Sequence, residues 1–143
     1  MRYRKGTIAL SDSQDYPLLR RVLHCGFVTS IQLYEFMKLD YAASSRNAFD
    51  NRLRRLLAHE LLVRHDIPSM NLGVVYSMSR AGISEMIGKG EYYSGSLDGG
   101  GPPGGHVQHA LELNDIHLEL KRTGMLVRWT PESDIRSRNE FTD

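Results

Sequence analysis

The chain has 143 residues, which is enough for one domain or for one small domain with an appendage. Hydrophobic residues make up 41% of it, which is typical of a globular protein with a modest core, and no apolar run reaches the length of a membrane span. The net charge of +1 identifies no partner, and the single cysteine, Cys25, excludes an intramolecular disulfide. We therefore expect a cytoplasmic protein without a signal peptide.

The N-terminal residues 1–11 are predicted to be a flexible arm. They contain three basic side chains, Arg2, Arg4 and Lys5. Two interpretations of this arm stay open, because such a segment can either enter a DNA minor groove or remain a disordered tail.

Two helices are predicted next. The first spans residues 12–24, and Gly26 can take the left-handed conformation that ends it. The second begins after Thr29, because Thr29 and Gln32 have the spacing of a capping box. Cys25 lies between the two helices, where we expect it to be a small buried filler.

The third predicted helix, residues 45–59, is capped by Ser44 or Ser45 and carries the most informative pattern. Hydrophobic side chains recur at helical spacing on one side, at Phe49, Leu53, Leu56 and Leu57. The opposite side carries amides and guanidiniums, at Asn47, Asn51, Arg54 and Arg55. Such groups hydrogen-bond base edges and phosphates, whereas an ordinary exposed helix mixes glutamate and lysine. The pattern therefore predicts a DNA-reading helix.

After this helix the hydrophobic period changes to that of strands. A strand is predicted at residues 61–67, with Leu61, Val63, His65 and Ile67 alternating on one side. A turn at 68–73 and a second strand at 74–78 follow. Ser79 then caps a short helix that Gly88 closes. Three helices before a hairpin predict an α+β, mainly α, winged helix-turn-helix whose third helix faces the major groove.

The remaining sequence is predicted to form a linker and an extension. Residues 89–105 are rich in glycine and predict a flexible linker between the winged helix, residues 12–88, and the extension, residues 106–143. In the extension, a helix at 106–123 ends at Gly124 and precedes a strand at 125–130. Three alternatives stay open for this part: it packs on the winged helix, it pairs two copies, or it begins a truncated second domain.

Four motifs follow one another along the chain. They are R-L-R-R-L-L-A-H-E-L-L at 52–62, V-Y-S-M-S-R-A-G at 75–82, His109 with Asn114 and Asp115, and Trp129 with Glu132. This order resembles the replication-relaxation family of bacterial plasmids and mobile elements over about residues 13 to 136. The resemblance implies a DNA-binding protein. Family members continue with strands reminiscent of restriction endonucleases, so a truncated chain and a complete one both stay open.

We predict that the third helix and the wing contact double-stranded DNA. The predicted contact residues are Ser45, Arg46, Asn47, Asn51, Arg52, Arg54, Arg55, Arg64 and Asn71. Arg46 and Arg52 lie at the edge of the apolar side, where phosphate contact and snorkelling over the core are alternatives. We expect a homodimer that regulates transcription or mobile-element replication, since two half-sites multiply the affinity of one small module. If the arginine- and asparagine-bearing side of this helix were covered by the protein's own tail, or its side chains were held in internal ion pairs, the case for DNA reading would collapse.

Other functions are alternatives to DNA binding. A protein-interaction winged helix would use the same surface for a partner protein. A nuclease-like protein would gather Asp115, Glu119, Glu132 and Asp134 around Mg²⁺, which requires more strands than the extension provides. His106, His109 and His117 suggest a metal, but they lack further ligands in register. We therefore expect no enzyme activity, no metal or other cofactor, and no small-molecule ligand.

Overall fold

The computed structural model describes residues 9–41, 45–66, 74–91, 105–125 and 129–130. Five helices and three strands lie within these ranges. In chain order they are α1 (Asp15–Cys25), β1 (Val28–Thr29), α2 (Ser30–Tyr41), α3 (Arg46–Ala58), β2 (Leu62–Asp66), β3 (Val74–Met78), α4 (Arg80–Gly88) and α5 (Gly105–Arg122). The protein is therefore α+β and mainly helical, as the sequence predicts.

The first helix starts later than residue 12, the predicted position. Ser11 and Asp15 exchange hydrogen bonds, because the Ser11 amide donates to Asp15 Oδ2 at 2.9 Å and the Asp15 amide donates to Ser11 Oγ at 3.0 Å. This pair satisfies backbone groups that precede the first helical turn. At the other end, Gly26 has φ 78° and its amide donates to the Val22 carbonyl, so the predicted stop is confirmed.

The starts of α2 and α3 follow the predicted caps. The Gln32 amide donates to Thr29 Oγ1 at 3.1 Å, and the Thr29 amide donates to Gln32 Oε1 at 3.3 Å. This reciprocal arrangement is the predicted capping box. Ser45 caps α3 by accepting a hydrogen bond from the Ala48 amide at 3.1 Å.

The sheet has three antiparallel strands in the order β1-β3-β2, one strand more than the predicted hairpin. Val28 pairs with Tyr76 on one side of β3, and Arg64 pairs with the same Tyr76 on the other side. β3 is thus the central strand, and it joins the segment before α2 to the segment after α3.

Both faces of this sheet are covered. Tyr76 and Met78 pack into the main core with side chains of α1, α2, α3 and α4. Val75 points to the other face, where it forms a second small cluster with Val107 and Leu111 of α5. Because side chains alternate along a strand, α5 and α3 lie on opposite faces of the sheet.

The predicted alternation is wrong over residues 61–65, and Ile67 lies outside the described residues. Leu61 is buried, but it precedes the strand, and Val63 is exposed while its neighbour Leu62 is buried. Half-buried His65 meets the Phe27 ring at 5.7 Å, on the face that α5 covers. The prediction failed because Leu62, paired with Met78, faces the main core, while Val63 and His65 lie on the opposite face with Val75.

The helix α5 packs on the rest of the chain, which is the first of the three predicted alternatives. Val107, Leu111 and Leu118 are buried, and the helix lies against α2 and β1. Gln32 Nε2 donates to the Leu111 carbonyl at 2.9 Å. Asn114 Nδ2 donates to the Phe27 carbonyl at 2.8 Å and to Gln32 Oε1 at 3.0 Å. Buried polar groups therefore fix the register between α2 and α5.

A second group of contacts joins the last turns of the same two helices. Asp40 accepts from Arg21 at 2.9 Å and from Lys121 at 2.6 Å. The His117 ring lies 5.0 Å from the Phe36 ring and stacks on the Trp129 ring at 4.1 Å. The contacts thus run along α2 and hold it against α5 between Leu111 and Lys121.

Several predicted segments lie outside the described residues. They are residues 1–8 of the arm, the turn at 68–73, most of the linker, the middle of the predicted strand at 125–130 and the tail after residue 130. Within the described ranges, none of the helices combines the length and the apolar character that crossing a lipid bilayer requires.

Candidate nucleic-acid interface

The outer side of α3 is open to solvent. Phe49, Leu53 and Leu56 are buried in the main core and fix the rotation of the helix. Asn47, Asn51 and Arg54, on the opposite side, are exposed as predicted. Arg54 Nη1 donates to Asn51 Oδ1 at 3.2 Å, so these two neighbours on successive turns share one hydrogen bond. The surface offers amide and guanidinium groups side by side.

The flank of α3 that faces α1 differs from the prediction. Arg55 was expected on the open side, but it is half-buried and its Nη2 pairs with Asp15 Oδ2. Arg52 Nε donates to Asp15 Oδ1 at 3.2 Å, and Arg52 Nη2 donates to Gln14. The alternatives predicted for Arg52 were phosphate contact and snorkelling over the core. An ion pair with Asp15 was not among them. A carboxylate that is only 1% exposed thus holds two arginines of α3.

The other flank of α3 faces β2 across an open cleft of about 690 Å³. Arg54 stands on one wall and Arg64 on the other, while Leu57 and Leu62 contribute apolar surface between them. Arg64 is exposed, and its Nη2 lies 3.7 Å from Asp66 Oδ1. A pair this exposed and this long is weak, so Arg64 can turn to another anion.

At the start of α3, Arg46 lies over aromatic rings. Its guanidinium carbon is 5.0 Å from the Tyr34 ring centre and 5.6 Å from that of Phe49, and its Nε donates to Asp50 at 3.1 Å. Of its two predicted alternatives, packing across the edge of the core is the one observed. Ser45 and Arg46 remain exposed at the helix start.

Most of the predicted DNA-contact residues therefore lie close to one another. Seven of them lie on α3 or at its cap, and Arg64 lies on the neighbouring strand; Asn71 is outside the described residues. Sequence reasoning missed Asp15. Its carboxylate is 37 residues from Arg52 and 40 from Arg55, and an acid in a first helical turn is ordinarily a solvated, dipole-favoured residue. No sequence pattern points to its burial.

The groups considered for other chemistry have structural roles where they are described. Asp115 accepts from Gln32 at 2.9 Å and Glu119 pairs with Arg122 at 3.6 Å, while Glu132 and Asp134 lie outside the described residues. Within the described ranges, no three histidine, cysteine or acidic side chains are grouped so as to hold a metal ion.

Cys25 is a free thiol that fits the filler interpretation. It is half-buried against the main core. Burial raises the pKa of this thiol to about 12, since it disfavours the thiolate. The reactive, ionised form is therefore suppressed near neutral pH.

The sequence matches no protein family model, no curated protein and no solved structure. The resemblance to the replication-relaxation family therefore stays a prediction. Two residues of its more distinctive motif, Asn114 and Asp115, contact Gln32 of α2, so in this chain they anchor α5.

Proposed function

We propose that the protein binds double-stranded DNA sequence-specifically and is a winged helix-turn-helix regulator, with α3 as the recognition helix. The observation that carries this proposal is the exposed row of Asn47, Asn51 and Arg54 on a helix whose opposite side is buried. Two further features support it: the chain order α1-β1-α2-α3-β2-β3 and the strand order β1-β3-β2 are those of winged-helix domains.

The chemistry of this row matches the major groove. An α-helix fits into that groove, where asparagine makes paired hydrogen bonds to adenine and arginine makes them to guanine. In the proposed complex, Asn47 and Asn51 read bases and Arg54 reads a guanine or holds a phosphate. Arg64, across the cleft on β2, contacts the phosphate backbone beside the groove.

The regulator acts as a homodimer in this proposal. Two copies on adjacent half-sites, about one helical turn apart, combine the modest affinities of two small modules. The regulated process is transcription or the replication of a mobile element, and the protein contributes binding rather than catalysis.

A double substitution of Asn51→Ala and Arg54→Ala tests the proposal. Each lost bidentate contact costs about 1–3 kcal/mol, so we expect affinity for a cognate duplex to fall by about 30-fold or more. Fluorescence anisotropy at two salt concentrations measures it, with duplexes drawn from a selected random pool. The matched control is Gln108→Ala with Arg122→Ala, an amide and an arginine exposed on α5, which should leave affinity unchanged.

One observation favours a protein-interaction winged helix as the second candidate. Arg52 and Arg55 are paired internally with Asp15, which is the kind of ion pair that counts against DNA reading, and the pairing occupies some of the donors that a phosphate would need. If the unchanged protein binds no selected duplex at low salt, DNA binding is refuted and this candidate takes its place. Equal affinities of the α3 double variant and the α5 control would instead refute the recognition-helix assignment.

A further inference from the structure

The junction of α1 and α3 holds a buried carboxylate under two arginines. Asp15 Oδ1 accepts from Arg52 Nε at 3.2 Å, and Asp15 Oδ2 accepts from Arg55 Nη2 and from the Ser11 amide at 2.9 Å. The Asp15 side chain is 1% exposed, while those of Arg52 and Arg55 are 24% and 38% exposed. The two guanidiniums therefore lie between the acid and the solvent.

This group has an excess of positive charge. One carboxylate faces two guanidiniums, so the three side chains together carry +1. Each guanidinium has five N–H groups. The contacts within the described part of the chain use two of them on Arg52, to Asp15 and Gln14, and two on Arg55, to Asp15 and the Ala9 carbonyl. Donors that face solvent are left for an external anion.

The location of the group suits a phosphate of the DNA backbone. Arg55 follows Arg54 of the exposed row, and Arg52 follows Asn51, so the pair lies on the flank of the proposed recognition surface. A helix in the major groove has backbone phosphates along both flanks. Arg64 and β2 occupy one flank of α3, and the Asp15 group occupies the other.

We infer that Asp15 is a positioning residue that holds Arg52 and Arg55 as preformed contacts to the DNA backbone. The inference rests on the proposed function, because it assigns the same surface a set of phosphate contacts. Long arginine side chains ordinarily lose rotamer freedom when they bind. Here Asp15, Gln14 and Ala9 fix them already in the folded protein, so less freedom is lost when DNA arrives.

Replacing Asp15 by asparagine distinguishes positioning from simple charge. Removal of an acid near DNA ordinarily strengthens binding, because it reduces repulsion of the phosphates. If Asp15 positions the arginines, Asp15→Asn instead weakens binding of the cognate duplex by about tenfold. It also makes the plot of log K against log salt concentration less steep by about one to two, because each lost phosphate contact lowers the magnitude of that slope by about 0.9. The matched control is Asp50→Asn, an acid of α3 paired with Arg46. We expect equal or tighter binding from it.

Circular dichroism at the assay temperature confirms that each variant is folded before its salt slope is compared. If Asp15→Asn binds more tightly with an unchanged slope, as the control does, Asp15 withholds the arginines from DNA and the inference is overturned. If the unchanged protein binds no duplex, the proposed function and the inference fail together. If the unchanged protein binds DNA and Asp15→Asn binds more tightly, only the inference fails.

A second variant covers the case in which Asp15→Asn does not fold. Arg55→Gln leaves Asp15 paired with Arg52 and removes one proposed contact from a side chain that is 38% exposed. We expect the salt slope to fall by about one. An unchanged slope and affinity would show that Arg55 serves only to hold α3 against α1, which overturns the inference.

Discussion

At the scale of single residues, the contact that places β2 and β3 beside α3 depends on Gly82. The Ser79 amide donates to the Leu61 carbonyl at 3.1 Å, and Ser79 Oγ donates to the Glu60 carbonyl at 2.6 Å. The same hydroxyl accepts from the Gly82 amide at 2.9 Å and so caps α4. Backbone of α4 thus lies directly on the turn between α3 and β2, where Glu60 has φ 59°.

Substitution of Gly82 by alanine should disrupt this contact. A Cβ at Gly82 would lie 2.1 Å from the Leu61 carbonyl oxygen, which is a backbone atom that cannot move aside alone. We expect Gly82→Ala to lower the free energy of unfolding by about 3 kcal/mol, measured by urea denaturation at 222 nm. Gly88→Ala, in the same helix, is the control: nothing lies within 4 Å of its Cβ, so it should be neutral or stabilise by up to about 1 kcal/mol. Equal stability of the two variants would contradict the close contact.

The same corner shows what one residue contributes to the proposed site. Leu61 and Glu60 connect the end of α3, with Arg54, to the start of β2, with Arg64. This turn and both arginines line the same cleft. The glycine of the V-Y-S-M-S-R-A-G motif is therefore explained by packing, and its link to the interface is indirect.

At the scale of elements, local signals predicted most helix ends. Gly26, the Thr29–Gln32 capping box and the caps Ser45 and Ser79 all behave as predicted, because each acts within four residues of its own position. The central part of the candidate site, the outer side of α3, was predictable for the same reason: helical periodicity alone separates Asn51 from Leu53.

Features that depend on distant residues were not predictable. The strand β1 has only two residues, Val28 and Thr29, and exists because β3 has a free edge to pair with. A dipeptide carries no period from which to recognise a strand. The ion-pair partner of Arg52 and Arg55 was not predictable for a related reason, because Asp15 becomes their neighbour only when α1 packs beside α3. Tertiary packing, and not local sequence preference, decides which charged side chains form internal ion pairs.

The docking of α5 should depend on pH through His117. This ring is 3% exposed between Phe36 and Trp129. Burial first, and then the nearby cations Arg21 and Lys121, lower the pKa of His117 to about 4 from its ordinary 6.5, although Asp40 opposes the shift. The unfolded chain therefore binds a proton at this residue that the folded chain rejects between these two pH values.

Stability should consequently fall as the pH falls from about 6.5 to about 4. The contribution of His117 is on the order of 3 kcal/mol, since a tenfold difference in proton affinity between the folded and unfolded chains corresponds to about 1.4 kcal/mol. Urea denaturation across this range, followed by the fluorescence of Trp129, the only tryptophan, measures it. The control His117→Phe keeps a ring against Trp129 and Phe36 but cannot titrate. The other histidines and the carboxylates contribute equally to the pH dependence of both proteins. If the free energy of unfolding changed with pH in the same way in both, His117 would not be the residue responsible.

At the scale of the whole molecule, the sheet separates two functional sides. The proposed DNA surface on α3 lies on one side, and α5 covers the other. The exposed side of α5 carries the three acids Glu112, Asp115 and Glu119 and one arginine, Arg122, so its net charge is negative and a DNA backbone repels it. The charge distribution therefore favours approach of DNA from the α3 side, although the net charge of the chain is only +1.

The proposed homodimer has to use surface that the fold leaves open. Val107, Leu111 and Leu118 of α5 are occupied within the chain, so pairing through this helix would have to use its outer stripe of Leu113, Ile116 and Leu120. Ile116 is the centre of that stripe and is 53% exposed. A carboxylate at its position would be buried without a partner in any contact between two such stripes.

We therefore expect Ile116→Asp to abolish pairing of the copies while leaving the fold intact. Light scattering of the unchanged protein at micromolar concentration should give twice the mass of the chain, and the variant should give that mass once. The matched control is Ile87→Asp, an equally large side chain exposed on α4, which should remain paired. On a duplex with two half-sites, the affinity of the paired protein should exceed that of Ile116→Asp by about 10²-fold or more. The reason is that the first bound copy holds the second at a high effective concentration near its half-site. A monomeric unchanged protein would refute the homodimer, and a variant Ile116→Asp that still pairs would show that the contact lies elsewhere than on α5.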